Sequence, residues 1–185
     1  MRLRTALTIV EEEIAQALNT VDESEVEALT AALLRARRIF VAGTGRVGLG
    51  AQAFAMRLMH LGLAAHWVGD AMTPAVGPGD LWLACSGSGE TAVIRALTQL
   101  AAQRGAEVAT VTRQPQATIG RLAGTVVRLM AEADDGERMP ASVQPMTAQF
   151  EQSLALLLDA VVLLVMERLG QTDAEIRQRH FNLER

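Results

Sequence analysis

Apolar residues recur every three or four positions over residues 3–18 (Leu3, Leu7, Val10, Ile14, Leu18) and again over 23–36 (Val26, Leu29, Leu33). That period places them on one face of a helix, so two N-terminal helices are predicted. The pattern then changes to short, unbroken apolar runs. Residues 38–42 form a β-rich run that stops at Gly43-Thr44-Gly45-Arg46-Val47-Gly48, and a helical pattern follows through His60. A weaker strand is predicted at 65–68 and a stronger one at 81–85, the latter running into Ser86-Gly87-Ser88-Gly89 and a helix over 91–104. Two more strands, 107–112 and 125–129, flank a short helix at 118–122. Buried strands alternating with helices imply a parallel sheet covered on both faces. The fold class is therefore α/β: a single doubly wound domain with a five-stranded parallel sheet flanked by helices. The N-terminal helices occupy 1–36, the sheet core with both glycine loops 37–130, and C-terminal helices 145–185.

Residues 131–147 are polar and carry two prolines, and they lead into a long apolar helix over 149–169 and a polar helix at 173–180. The long helix has little polar surface, because Leu154, Leu156, Leu157, Leu158, Val161, Val162, Leu163, Leu164 and Val165 encircle much of it. Its far side needs a cover. The two N-terminal helices could supply it within one chain, but the expectation is a homo-oligomer with this helix and the N-terminal pair as interface.

At 185 residues and 50% hydrophobic, the chain suits one substantial core. The net charge of −4 offers no basic surface for a run of phosphates, so nucleic acid is not expected as a partner. The single cysteine, Cys85, lies inside an apolar run and reads as a core residue in a reducing, cytoplasmic setting. Residues 1–13 contain no apolar signal core. The long helix carries Asp159 and falls short of a membrane span, so no membrane association is expected.

All 17 basic residues are arginine. Without lysine, neither Schiff-base chemistry nor the P-loop of nucleoside-triphosphate enzymes is available. The three histidines, His60, His66 and His180, show no metal-ligand spacing, and no metal or other cofactor is expected.

Both glycine loops follow strands, at the edge where open parallel sheets bind ligands. Gly43-x-Gly45-x-x-Gly48 satisfies the dinucleotide fingerprint, with Asp70 placed as a ribose-binding acid would be, although glycine is also favoured sterically at any such turn. The second loop offers hydroxyls from Ser86, Ser88 and Thr91 and unshielded amides at Gly87 and Gly89. Together with a helix N-terminus these make an anion cradle that needs neither lysine nor metal, suited to a terminal phosphomonoester. A plain turn with Ser88 as helix cap is the structural alternative. Glu90, in the first helical turn, reads as support for the helix dipole. Arg46 either reaches the same anion or is a surface charge.

The pairing of Gly43-Thr44-Gly45-Arg46 with Ser86-Gly87-Ser88-Gly89-Glu90-Thr91 resembles the sugar isomerase (SIS) domain, and the resemblance covers nearly the whole chain. Within that superfamily residues 54–62, Thr73-Pro74, Ser86 to Thr91, Phe150-Glu151 and Arg179-His180 resemble the 6-phospho-3-hexuloisomerase family. The resemblance implies a homotetramer that converts 3-hexulose 6-phosphate into fructose 6-phosphate in the ribulose monophosphate pathway. A 3-hexulose-6-phosphate synthase that fixes formaldehyde would be its pathway partner. It also implies that the hydroxyl loop holds the phosphate, that Glu151 is the base, and that His180 reaches a site across a subunit boundary. Two departures stand out: Val47 replaces a frequent serine, and residues 70–75 lack the histidine of arabinose 5-phosphate isomerases.

Glu151 also suits a base on its own terms, because Ala155, Leu158, Val162 and Val165 continue its helical face as an apolar stripe. An ordinary acid at a helix start is the alternative. His180 reads as a proton donor or as a solvated terminal residue, and His60 as a packing residue. A non-catalytic sugar-phosphate sensor and a dinucleotide-binding protein are the competing functional readings.

Overall fold

The computed structural model describes residues 1–130, 141–146 and 148–183. Most of the polar segment after the last strand lies outside them. The elements are α1 (Leu3–Leu18), α2 (Glu23–Arg35), β1 (Arg38–Ala42), α3 (Gly45–His60), β2 (Ala65–Trp67), β3 (Asp80–Cys85), α4 (Ala92–Gln103), β4 (Glu107–Thr112), α5 (Thr118–Leu122), β5 (Thr125–Arg128), α6 (Ala148–Arg168) and α7 (Asp173–Gln178). Every element expected from the pattern is present, and the ends differ by one or two residues, where helices and strands fray.

The five strands pair in the order β2-β1-β3-β4-β5, all parallel. Alternation along each strand splits the core in two. Ile39, Val41, Leu81, Leu83, Ala109, Val111 and Val127 face a cluster built by α2, α3 and α6, whereas Phe40, Ala42, Trp82, Ala84 and Val108 face α4 and α5. α1 packs outside the sheet layers, mainly against α6. α6 has the length and apolarity of a membrane span, but one side of it is seated in this core. Its opposite side exposes Leu156 and Leu163.

Strand order reverses between β1 and β3, and the two glycine loops leave the carboxyl ends of these two strands. A crevice at that switch point is the place where open α/β sheets hold ligands. The opposite edge is clamped by Asp80, whose fully buried carboxylate accepts from Arg38 at 3.0 and 2.7 Å, from Arg37 at 3.2 Å and from the amide of Gly77 at 2.9 Å. These bonds, led by those from Arg38, hold the Asp80 carboxyl below the usual carboxylate range.

Candidate active site

β3 ends in a loop that the neighbouring elements hold on three sides. The sheet ladder continues past the strand: the Ser86 amide donates to the Val111 carbonyl at 3.2 Å, and the Arg113 amide to the Gly87 carbonyl at 3.2 Å. The chain then turns tightly, with the Gly89 amide donating to the Ser86 carbonyl at 3.1 Å and Gly89 at φ +63°. A side chain at Gly89 would meet Ala117 at 2.6 Å, so glycine is required by both backbone and space. On the far side the Ile119 amide donates to the Gly89 carbonyl at 3.1 Å, tying the loop to α5.

Inside this frame the Ser86 and Thr91 hydroxyls lie 2.9 Å apart, with Ser86 only 2% exposed. Ser88 does not cap α4; its hydroxyl accepts from the Glu90 amide at 3.2 Å and tightens the turn, while Thr91 occupies the N-cap position without a side-chain cap bond. The amides of Gly87, Ser88, Thr91 and Ala92 are claimed by no protein acceptor among the described residues. Four such donors and two hydroxyls at the N-terminus of a twelve-residue helix suit a compact anion.

Glu90 turns its carboxylate away to structural partners, accepting from the Thr118 amide at 2.6 Å and from Arg95 at 3.1 Å. These bonds, led by the one from Thr118, hold its carboxyl down to about 2. It is thus anionic at neutral pH and joins α4 to α5, as support rather than as a proton shuttle.

The start of α6 closes the third side. A Cβ on Gly87 would stand 3.0 Å from the Phe150 ring, so the loop rests directly on the first turn of α6. The next residue is Glu151. Its side chain is 16% exposed and its carboxylate pairs with Arg46 of the first loop at 3.1 Å. The two loops and the α6 N-terminus therefore meet at one place, and Arg46, expected either at the anion or in solvent, is found beside the candidate base. The polarity of this corner is incompletely matched: Arg113 Nε, Gln152 Oε1 and Ser153 Oγ are buried without a partner among the described residues. Arg113 stacks over Phe150 at 5.8 Å, which places a guanidinium between the loop and α6. Sequence patterning did not single it out, because an arginine after a strand carries no motif.

The first loop is shaped by packing. A Cβ on Gly48 would lie 3.0 Å from the Gly43 carbonyl, and one on Gly43 3.1 Å from Gly48 Cα, so these glycines let α3 approach β1. Gly45 adopts φ +59° at the start of α3 with open space around it. Asp70 is used locally, accepting from the Met72 amide at 2.9 Å. The fingerprint-like spacing thus has a steric explanation that requires no dinucleotide.

His180 is elsewhere. It follows α7, which a Thr172–Glu175 capping box starts and which docks on the far end of α3. There Arg179 donates to the His60 carbonyl at 3.1 Å and Gln171 to the Leu61 carbonyl at 2.9 Å, satisfying carbonyls at the helix terminus. The His180 ring lies 5.1 Å from the ring of His60, and its Nδ1 donates to the Phe181 carbonyl at 2.8 Å. His60 is 3% exposed, and burial, reinforced by Arg57 and His180, lowers its pKa from the ordinary 6.5, so it is neutral at pH 7. A cavity of about 570 Å³ opens here, lined by Arg57, His60, Val162, Met166, Arg177 and His180 among others. Arg46 and His60 sit at opposite ends of α3, about 21 Å apart along its axis. One chain does not bring Glu151 and His180 together. No group of three His, Cys, Asp or Glu side chains able to hold a metal occurs among the described residues.

The SIS domain profile matches residues 32–161, which span the sheet, both loops and most of α6. The chain is 38% identical to a 3-hexulose-6-phosphate isomerase of Bacillus subtilis, over 94% of this chain and 98% of the relative. It is 36% identical to another of that name from Mycobacterium gastri, over 96% and 89% respectively. The crystal structure of a hypothetical protein from Methanococcus jannaschii, reported to infer a molecular function of 3-hexulose-6-phosphate isomerase, superposes with a TM-score of 0.83. It is 30% identical and covers 97% of this chain and 99% of its own. The match over residues 32–161 and the near full-length similarity to these relatives show that this chain belongs to the SIS domain family.

Proposed function

We propose that this chain is a 6-phospho-3-hexuloisomerase, interconverting 3-hexulose 6-phosphate and fructose 6-phosphate, with no metal or cofactor. The observation that carries the reading is the contact between Gly87 and Phe150, which joins an anion-binding loop to the carboxylate that follows it in α6. Relatives named for this activity at 36–38% identity over nearly their whole length support the substrate class.

In this reading the phosphate sits on the hydroxyls of Ser86, Ser88 and Thr91 and on the unclaimed amides of Gly87, Ser88, Thr91 and Ala92; the Gly89 amide, expected from the sequence to be free for the anion, is spent on the Ser86 carbonyl, so Gly89 shapes the turn, as Gly45 shapes the facing loop. Moving the carbonyl from C3 to C2 requires loss of the C2 proton and delivery of a proton to C3, through a cis-enediol. Glu151 is the base for both transfers: it takes the C2 proton, the C3 oxygen gains negative charge, and the same carboxyl returns the proton to C3. Arg46, 3.1 Å from Glu151, is placed to offset the charge on the enediolate oxygens. The proton exchanged between the two oxygens passes through the partner subunit's His180, reaching the site across a subunit boundary, because within one chain His180 lies beside His60 at the far end of α3. The expected setting is a cytoplasmic homotetramer that consumes the product of a 3-hexulose-6-phosphate synthase in formaldehyde assimilation by the ribulose monophosphate pathway.

Purified chain, incubated with fructose 6-phosphate in the presence of chelator and without nucleotide, is expected to form the 3-hexulose isomer. Stabilisation by sugar phosphates without turnover would identify a binding protein instead, and stabilisation by NAD in the same melting assay would support the dinucleotide reading.

A further inference from the structure

The donors of the hydroxyl loop are all neutral. They are the unclaimed amides and the hydroxyls of Ser86, Ser88 and Thr91, to which the N-terminus of α4 adds about half a positive charge. A phosphomonoester brings about −1.5 to −2 at neutral pH. Among permanently charged side chains only arginine is available to meet it, because the chain has no lysine. Arg46 is paired with Glu151 and Arg95 with Glu90. Arg113 is different: its guanidinium makes no ion pair or hydrogen bond among the described residues, and its Nε is buried without a partner.

The fold sets this cation beside the loop. Cys85 and Val111 face the α6 side of the sheet, and Gly87 and Arg113, each two residues further on, continue that alternation. A backbone bond joins the two, the Arg113 amide donating to the Gly87 carbonyl at 3.2 Å. Both also meet one ring: a Cβ on Gly87 would lie 3.0 Å from Phe150, and the Arg113 guanidinium carbon stands 5.8 Å from the centre of the same ring. Phe150 is 1% exposed and fixed in the core, so it forms a rigid wall shared by the loop and the guanidinium. A buried N–H without an acceptor is costly, and the contact with the ring offsets this only in part. An anion on the loop supplies the missing acceptor.

We infer that Arg113 is the counter-charge of the hydroxyl loop: its guanidinium binds the phosphate held by Ser86, Thr91 and the unclaimed amides, and makes the site selective for phosphomonoesters over uncharged sugars. The planar fork of an arginine suits two oxygens of one phosphate at once, and Phe150 holds it in place. Arg46 stays with Glu151, so the two arginines serve different ends of the substrate, one the phosphate and the other the enediolate oxygens. The sugar attached to that phosphate rests on the isomerase reading, whereas the phosphate contact rests on the loop and Arg113 alone.

Calorimetric titration with inorganic phosphate and with fructose 6-phosphate reads this contact without turnover. Arg113→Met keeps an unbranched apolar stem against Phe150 and removes the charge, and it is expected to weaken binding of both ligands about 10- to 100-fold, the range for losing a charged hydrogen bond. KM for fructose 6-phosphate should rise by a similar factor with kcat nearly unchanged, because Glu151 keeps its place. A purely structural role, acting through Phe150, would move Glu151 and lower kcat instead. Wild-type affinity in the variant, or a loss confined to kcat, would overturn the assignment. Arg113→Gln, neutral but polar, gives the same readings if methionine is not tolerated, and a glutamine chain that binds phosphate as tightly as wild type would overturn it equally. A wild-type chain that binds phosphate, loses that binding in Arg113→Met and leaves fructose 6-phosphate unconverted would refute the isomerase reading and uphold the contact.

Discussion

Replacing Gly87 with alanine probes the contact on which the site is built. Gly87 does not have a positive φ, so alanine meets no backbone penalty there. What it meets is Phe150: the added Cβ would lie 3.0, 3.2 and 3.3 Å from three carbons of the ring, where comfortable carbon contacts are about 3.5–4.0 Å. Phe150 is 1% exposed, lies within the main core and cannot swing into solvent. The overlap of about half an ångström must be taken up by the loop or by the first turn of α6. Overpacking of this kind costs about 1–3 kcal/mol. For a chain of this length that corresponds to a fall in Tm of about 2–12 °C, taking 2–4 °C per kcal/mol.

Activity should fall further than stability, because the shift separates the phosphate cradle from Glu151. A displacement near 1 Å can cost about 100-fold in rate. Thermal denaturation and steady-state kinetics on the same preparation measure both. Phe150→Leu added to Gly87→Ala makes room for the methyl and is expected to return part of both losses, as a double-mutant cycle would quantify. A Gly87→Ala protein with wild-type Tm and wild-type kcat/KM would refute the argument that loop and helix are in contact.

Glu151→Gln keeps the size of the side chain and removes the base, so kcat is expected to fall about 10²–10⁴-fold with KM nearly unchanged; an unchanged kcat would assign the proton transfer elsewhere. Ser86→Ala removes one hydroxyl of the Ser86–Thr91 pair, and its loss should appear as a rise in KM for the sugar phosphate of about 10-fold or more, read with a titration by inorganic phosphate as competitor. Glu90 gives a pH signature. Its carboxyl is held down to about 2 from an ordinary 4.5, so its contribution to stability is complete above pH 4.5 and is lost as pH falls towards 2. The Tm difference between wild type and Glu90→Gln should therefore be constant at neutral pH and close on acidification; a gap that persists at pH 2 would contradict the assignment.

The elements were legible because each rests on local periodicity. Unbroken apolar runs such as Leu81–Cys85 specify strands buried on both faces, and the 3.6-residue repeat specifies α1 and α2. The hydroxyl loop was legible for a similar reason, since the run from Ser86 to Thr91 carries its donors within six consecutive residues. Glu90 could be assigned to support from its place in the first turn, and its bond to the Thr118 amide agrees. The exposed side of α6 followed from a helix with more apolar surface than one core can cover.

Contacts between distant segments were not legible. Nothing near Arg46 in sequence marks Glu151 as its partner, 105 positions away, and Arg113 belongs to no pattern at all. The exposure of Leu49 and Met56 on α3 carries no mark in the sequence, because the same helix buries the equally apolar Phe54 and Leu58. His60, read as a packing residue, is buried as expected, yet only the docking of α7 shows that it packs against His180. The sequence by itself determined the strands, the helices and the chemistry of the anion loop, because these depend on residues within a turn or two of one another. The tertiary structure decided that Phe150 seats this loop beside Glu151 and that His180 lies at the other end of the fold, because both depend on how parallel strands and their crossing helices place residues far apart in the chain.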